Sequence, residues 1–286
     1  MHIDSLFLKK KSVLSFEIFP PKRDTAIKSI DETLEILAGL NPDFISVTYG
    51  AGGSEAGKKT IELAKTIKEK YAIEPVVHLT CMNHTKEDIR QILNDFQKED
   101  IHNILALRGD KNPDIDTKSD FAYATELVKL IKESGEFGIS GACYPEGHIE
   151  AKSKEEDIIH LKEKVDAGVT HLVSQLFFDN DLFFEFQKKV KDAGIMVPIE
   201  AGIMPVINKA QVERMVTLCG ASIPEKFQKI MKLYGDNKEA LFDAGIAYAV
   251  NQIVELLAEG VDGIHVYTMN NPRVANRICE GIKNLI

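Results

Sequence analysis

Leu14-Ser15-Phe16-Glu17-Ile18-Phe19-Pro20-Pro21-Lys22 is the stretch on which the architecture turns. Its first six residues form a short, β-rich apolar run. A proline pair follows, where a doubly wound nucleotide-binding sheet would usually leave its first strand through a glycine-rich phosphate turn. Comparable runs recur outward from it at 44–49, 76–81, 104–107, 139–144, 172–177, 197–203 and 264–268. Between them lie charged, amphipathic segments at 26–37, 58–70, 86–98, 121–132, 155–167 and 181–193. The longer interval before the last run holds further helical patterns at 209–220, 225–233 and 238–259, and Gly135, Gly168, Gly194 and Gly260 stand where helices close. Strand and covering helix alternating about eight times predicts an α/β fold, a single (β/α)8 TIM barrel. No linker or composition break divides the chain, so residues 1–286 are expected to form one catalytic barrel domain with no regulatory domain.

Composition narrows the function. The 286 residues, 44% hydrophobic and 28% charged, suffice for a full barrel core. A formal net charge of -9 opposes binding to nucleic-acid phosphates or to an anionic membrane, so small molecules are the expected partners. The N-terminus lacks a signal-peptide run and each apolar run reads as too short to span a bilayer, which makes the cytoplasm the expected location. Cys81, Cys143, Cys219 and Cys279 are scattered, without CxxC or histidine spacing, so neither a metal site nor a disulfide framework is expected.

In a barrel the loops after the strands form the active face, so polar residues at strand ends carry the functional signal. Glu17 interrupts the first apolar run. Pointed inward, it would be expected to have a pKa raised by burial and to hold a proton near neutral pH, as a general acid must. The second run ends in Thr48-Tyr49-Gly50-Ala51-Gly52-Gly53, whose glycines permit close backbone approach. His78 and Thr80 lie within the third, where a lone histidine reads first as a satisfied core residue. The fourth ends in Arg108-Gly109-Asp110, a cation suited to a ligand phosphate and an anion suited to a heterocycle or transient cation. Tyr144-Pro145-Glu146-Gly147-His148 and Gln175-Leu176-Phe177-Phe178-Asp179 follow the fifth and sixth.

Read in order, these stretches, together with Gly202-Ile203-Met204-Pro205 and Val266-Tyr267-Thr268, resemble the methylenetetrahydrofolate reductase family in its bacterial, barrel-only form. The resemblance implies a flavin, FAD, that takes hydride from NAD(P)H and passes it to 5,10-methylenetetrahydrofolate by a ping-pong mechanism. It implies Glu17 as the acid that opens the folate ring and Asp110 as the group that contacts the pterin and stabilises the resulting cation. Flavin contacts would come from Thr48, His78, Arg108, Gly109, Asp110, Tyr123, Ala124, Tyr144, His148, Asp157, Lys164 and Tyr267, and folate contacts from Asp110, Gln175 and Arg273. Asp157 and Lys164, seven apart, would share one helix face. A homo-oligomer is expected.

Two positions depart from the family pattern. Lys209 stands where NADH-using relatives place an aromatic or large apolar residue, and Asn271 stands where an arginine is common, with Arg273 two positions on. The first departure raises an alternative electron source, a ferredoxin-type or accessory electron-transfer partner protein. A Schiff-base aldolase, which needs a strand lysine, finds none in the predicted strands. A non-catalytic pterin-binding barrel would have little use for Glu17, Asp110 and Gln175 together.

Overall fold

The computed structural model describes residues 1–21, 27–49, 54–109 and 119–286. Eight parallel strands close in sequence order: β1 (Val13–Ile18), β2 (Phe44–Val47), β3 (Glu74–Thr80), β4 (Asn103–Leu107), β5 (Gly138–Cys143), β6 (His171–Ser174), β7 (Ile199–Ile203) and β8 (Gly263–Tyr267). Closure is made by β1 against β8, with Val13 opposite Gly263 and Glu17 opposite Tyr267. Around them run α1 (Ile27–Gly39), α2 (Ser54–Tyr71), α3 (Lys86–Lys98), α4 (Ala124–Ser134), α5 (Lys154–Ala167), α6 (Asn180–Asp192), α7 (Lys209–Cys219), α8 (Glu225–Tyr234), α9 (Lys238–Ala258) and α10 (Pro272–Ile282). The expected barrel is the observed one.

The strands are apolar on both faces because one face fills the barrel and the other lies under helices. Phe16, Ile18, Ile45, Val47, Val77, Leu79, Ile104, Ile203 and Val266 are all buried. The helices carry the complementary stripe. In α3, Ile89, Leu93 and Phe96 recur at i, i+4 and i+7, and Thr85 with Asp88 closes a capping box at its start.

Two elements lie outside the sequence expectation. A short 3-10 turn, Ile3–Leu6, closes the amino-terminal mouth, burying Ile3 and Leu6 against Val13, Phe44, Val76 and Leu105. The last helix, α10, begins at the Asn271 cap and buries Val274, Ala275, Ile278 and Ile282 between α1 and α9, completing the outer ring.

By length and composition α9 could cross a membrane, which corrects the reading that every apolar stretch is too short. Its apolar residues Leu241, Phe242, Ile246, Ala249, Ile253 and Leu256 are instead buried in the barrel wall. The fit is close at Gly245, where an added Cβ would lie 1.7 Å from the Val206 carbonyl oxygen. Backbone cannot yield as a side chain can, so Gly245→Ala is expected to cost about 2 kcal/mol. Chemical denaturation would then show a clear loss of stability, and a variant as stable as its parent would place α9 away from the loop after β7.

Candidate active site

The carboxyl ends of the strands form one mouth, and Glu17 stands inside it. Its Oε2 is 3.5 Å from His78 Nε2 on β3 and 3.5 Å from His265 Nε2 on β8. His78 and His265 are buried, and neither Nε2 has a hydrogen-bond partner among the described residues. The Glu17 side chain keeps 19% of its surface open to the mouth. Its backbone is fixed: Thr268 Oγ1 donates to the Glu17 carbonyl at 2.6 Å, while Asn270 accepts from Phe19 N at 3.0 Å and donates to Phe19 O at 2.7 Å.

This arrangement corrects the expected charge state of Glu17. Burial does push its pKa up, but the contact with His265 and the positive potential of His78 and His265 outweigh it, and the net shift is downward. His78 moves down as well, because burial disfavours the imidazolium more than Glu17 supports it. His78 is therefore not a satisfied core residue; its open nitrogen faces the acid.

The other expected site residues fall into groups. Arg108 forms a two-pronged pair with Glu150, at 2.7 and 2.9 Å, and Glu150 N donates to His148 Nδ1 at 3.1 Å. His148 N donates to Asp157 Oδ2 at 3.2 Å, and the Tyr144 and His148 rings meet edge-on at 4.7 Å. Lys164 is half-buried on the same face of α5 as Asp157 and donates to the Ala142 carbonyl at 2.6 Å. Burial pushes Asp157 up and Lys164 down, each against the other's field. Gly109 follows β4 at φ +87°, a conformation that favours glycine.

Tyr123 caps α4 ahead of Ala124 with its ring 60% exposed, stacked at 6.1 Å on His160. Tyr267 donates to the Ser174 carbonyl at 2.7 Å, and burial holds its hydroxyl well above the ordinary range. Thr48 N donates to the Ile18 carbonyl, tying the end of β2 to β1. Gln175 turns its Oε1 onto Leu176 N at 2.9 Å. Arg273 is set apart: on α10 it pairs with Glu239 at 2.8 Å and lies over the Phe242 ring at 4.0 Å. Asp110, Gly50 and Lys22 lie outside the described residues.

The family model for methylenetetrahydrofolate reductase matches residues 2–283. The chain belongs to this family. It is 38% identical over 266 residues to the 5,10-methylenetetrahydrofolate reductase of Pectobacterium carotovorum, covering 93% of this chain and 88% of that one. To the Escherichia coli protein of the same name it is 36% identical, covering 93% and 89%. To the methylenetetrahydrofolate reductase (NADH) 1 of Arabidopsis thaliana it is also 36% identical, covering 94% of this chain and 48% of that one. Among solved structures, a Clostridium thermocellum protein described as binding two copies of 5-methyl-5,6,7,8-tetrahydrofolic acid superposes with a TM-score of 0.67 at 15% identity, over 99% of both chains. At that identity the likeness is one of fold.

In this member of the family, a chain of polar groups below Glu17 went unread in the sequence. Glu200 on β7 is fully buried and accepts from Ser15 Oγ at 2.8 Å. The same hydroxyl is 2.6 Å from His265 Nδ1. On its other side Glu200 Oε2 is 3.0 Å from His171 Nε2, and His171 Nδ1 is 2.9 Å from Ser140 Oγ. Gly263 makes room for it, since a Cβ there would lie 2.7 Å from Glu200 Cγ. The signal was present: Glu200 breaks the apolar run Ile199-Glu200-Ala201-Gly202-Ile203 as Glu17 breaks the first.

A carboxyl group whose folded pKa is depressed adds stability above its unfolded value and loses it as pH falls through the folded one. Glu17 is therefore expected to titrate below 4.5 in carbon-13 NMR spectra. Acid should destabilise the wild type more steeply than Glu17→Gln in that range. A midpoint above 4.5 would show that burial, not the histidine pair, governs the group.

Proposed function

We propose that this protein reduces 5,10-methylenetetrahydrofolate to 5-methyltetrahydrofolate with electrons from NAD(P)H, using a bound flavin, FAD. The observation that carries the reading is Glu17: a carboxyl group at the barrel mouth, flanked by two imidazoles, in a chain of this family. FAD, when bound, supplies a carrier that takes hydride from one substrate and gives it to the next, so the two would use the site in turn.

The residues present suit such a group. His78 Nε2 is a buried polar atom at the mouth without a hydrogen-bond partner among the described residues. The exposed Tyr123 ring and the Tyr144–His148 pair offer flat surfaces, and Arg108 and Lys164 bring cationic charge toward a diphosphate. Thr48, Gly109, Ala124, Asp157 and Tyr267 would complete the holding set from the ends of β2, β4, α4, α5 and β8.

Glu17 would protonate the folate nitrogen as its bond to the bridging carbon breaks, leaving an iminium cation ready for hydride. Asp110, directly after Gly109, would face that cation and stabilise it electrostatically. Gln175 would orient the pterin, and Arg273, released from Glu239, would meet the glutamate tail. Because Glu17 rests ionised, its proton must reach it from a neighbour, and His265 Nε2, 3.5 Å away, is the group in place to supply it.

Glu17→Gln is expected to leave reduction of the flavin by the donor nearly intact and to slow folate reduction by about 10²–10⁴-fold, the scale of a lost acid. Rapid-mixing absorbance of the two half-reactions would separate them, and equal loss of both would refute the acid role. A second reading keeps the flavin and folate but replaces NAD(P)H with a ferredoxin-type or accessory protein; the polar Lys209, in place of an apolar nicotinamide contact, favours it. Anaerobic addition of NADH or NADPH to the flavin-loaded protein decides between them. Bleaching of the flavin is expected, and failure with both nucleotides would establish the partner-driven version.

A further inference from the structure

The buried carboxylate of Glu200 has no place in the chemistry above, yet it is wired to the acid. Three links join them: Glu200 Oε1 to Ser15 Oγ at 2.8 Å, Ser15 Oγ to His265 Nδ1 at 2.6 Å, and His265 Nε2 to Glu17 Oε2 at 3.5 Å. Ser15, Glu200 and His265 are buried in the barrel interior. A carboxylate in such a place is tolerated only when partnered.

Ser15 has one hydroxyl proton, and that limit decides the protonation of its neighbour. The hydroxyl donates to Glu200, so it cannot also donate to His265. At 2.6 Å the remaining hydrogen bond must run the other way, from His265 Nδ1–H to Ser15 Oγ. With Nδ1 protonated, His265 Nε2 is left to take up or release a proton, and the group it faces is Glu17.

We propose that Glu200 is a positioning residue which, through Ser15, holds His265 with Nδ1 protonated, so that His265 Nε2 stores the proton that Glu17 delivers. The proposal rests on the functional reading above for the fate of that proton. His265 Nε2–H passes its proton to the Glu17 carboxylate, and Glu17 O–H passes it to the folate nitrogen as the carbon–nitrogen bond breaks. Glu17 returns to the carboxylate, and His265 is left neutral with its proton on Nδ1. Water at the open side of Glu17 restores the stored proton. The 3.5 Å step is longer than a hydrogen bond, and the partly open Glu17 side chain has room to turn its carboxylate toward His265 and back to the mouth.

The charged and titratable groups around this path come from every side of the barrel. His78 on β3 faces Glu17, Tyr267 on β8 packs edge-on against His265 at 5.2 Å, and His171 on β6 faces Glu200 at 3.0 Å. His171 lies below Glu200, and the Phe7 ring stacked on it at 4.7 Å covers it on the amino-terminal side. The Phe44 ring, stacked on His265 at 6.4 Å, does the same from β2. The lower end of the path is thus enclosed, and proton exchange is directed to the Glu17 end.

Long-range proton–nitrogen NMR spectra of the full chain at neutral pH read the state of His265 directly, without flavin or folate. Nδ1 is expected to be protonated in the wild type. In Glu200→Gln the amide offers Ser15 a donor, and in Ser15→Ala the acceptor is gone; in both, His265 Nδ1 should lose its proton and only Nε2 should carry one. A wild type with a bare His265 Nδ1, or two variants with the wild-type pattern, would overturn the proposal. In the flavin-loaded enzyme both variants should keep the donor half-reaction, while the folate half-reaction slows by about 10²-fold, the scale of an impaired acid. An unchanged folate half-reaction would overturn the storage role. Absence of folate reduction in the wild type, with His265 in the expected state, would refute the proposed function and uphold the assignment of His265. Ser15→Ala retains the charge of Glu200, so it keeps the test open should Glu200→Gln fail to fold.

Discussion

The structure depends on how one carboxylate is kept among buried groups. Glu17 sits on the first strand at the mouth of a closely packed barrel, and an isolated charge there would cost far more than a single domain can spare. Two imidazoles, from strands β3 and β8, meet the same carboxylate oxygen. These strands reach β1 from opposite sides, through β2 and through the closure pair, so the site exists only in the closed barrel. Fold and chemistry are joined at this residue.

The clamp around it has the same logic. Thr268 and Asn270, after β8, hold the backbone of Glu17 and Phe19, and Met269 and Asn270 adopt positive φ to do so. Non-glycine residues in that region cost free energy that the surrounding hydrogen bonds must offset. The outcome is a carboxyl group whose main chain is fixed while its side chain keeps an opening to the mouth. A second carboxylate, Glu200, is treated differently: it is sealed below, matched with His171, and reaches the mouth only through Ser15 and His265.

Much of this was legible in the sequence. The eight apolar runs and their covering helices follow from periodicity, because a parallel strand buried on both faces has no alternating pattern and its helix has a pronounced one. The Pro20-Pro21 exit from β1 separated the barrel from a doubly wound sheet. The position of Glu17 within an apolar run singled it out as a candidate, and the structure places it at the barrel mouth. Its charge state could not be read, because the sign of the shift depends on histidines 61 and 248 residues away, which only barrel closure brings near. Glu200 was readable by the same interruption as Glu17, but it stood at the amino-terminal start of β7, away from the end where function is sought. The last helix was missed although its apolar stripe, Val274, Ala275, Ile278 and Ile282, has helical spacing; the signal was in the sequence.

The family model places the chain among methylenetetrahydrofolate reductases, and under the proposed function Glu17 is the acid, ionised at rest, with its proton held at His265. Infrared difference spectra between the wild type and Glu17→Gln at neutral pH test that account most directly. The account predicts carboxylate bands for Glu17, with no carbonyl band of a protonated acid. A protonated-carboxyl band that vanishes in Glu17→Gln would contradict it, showing that burial alone keeps the proton on Glu17.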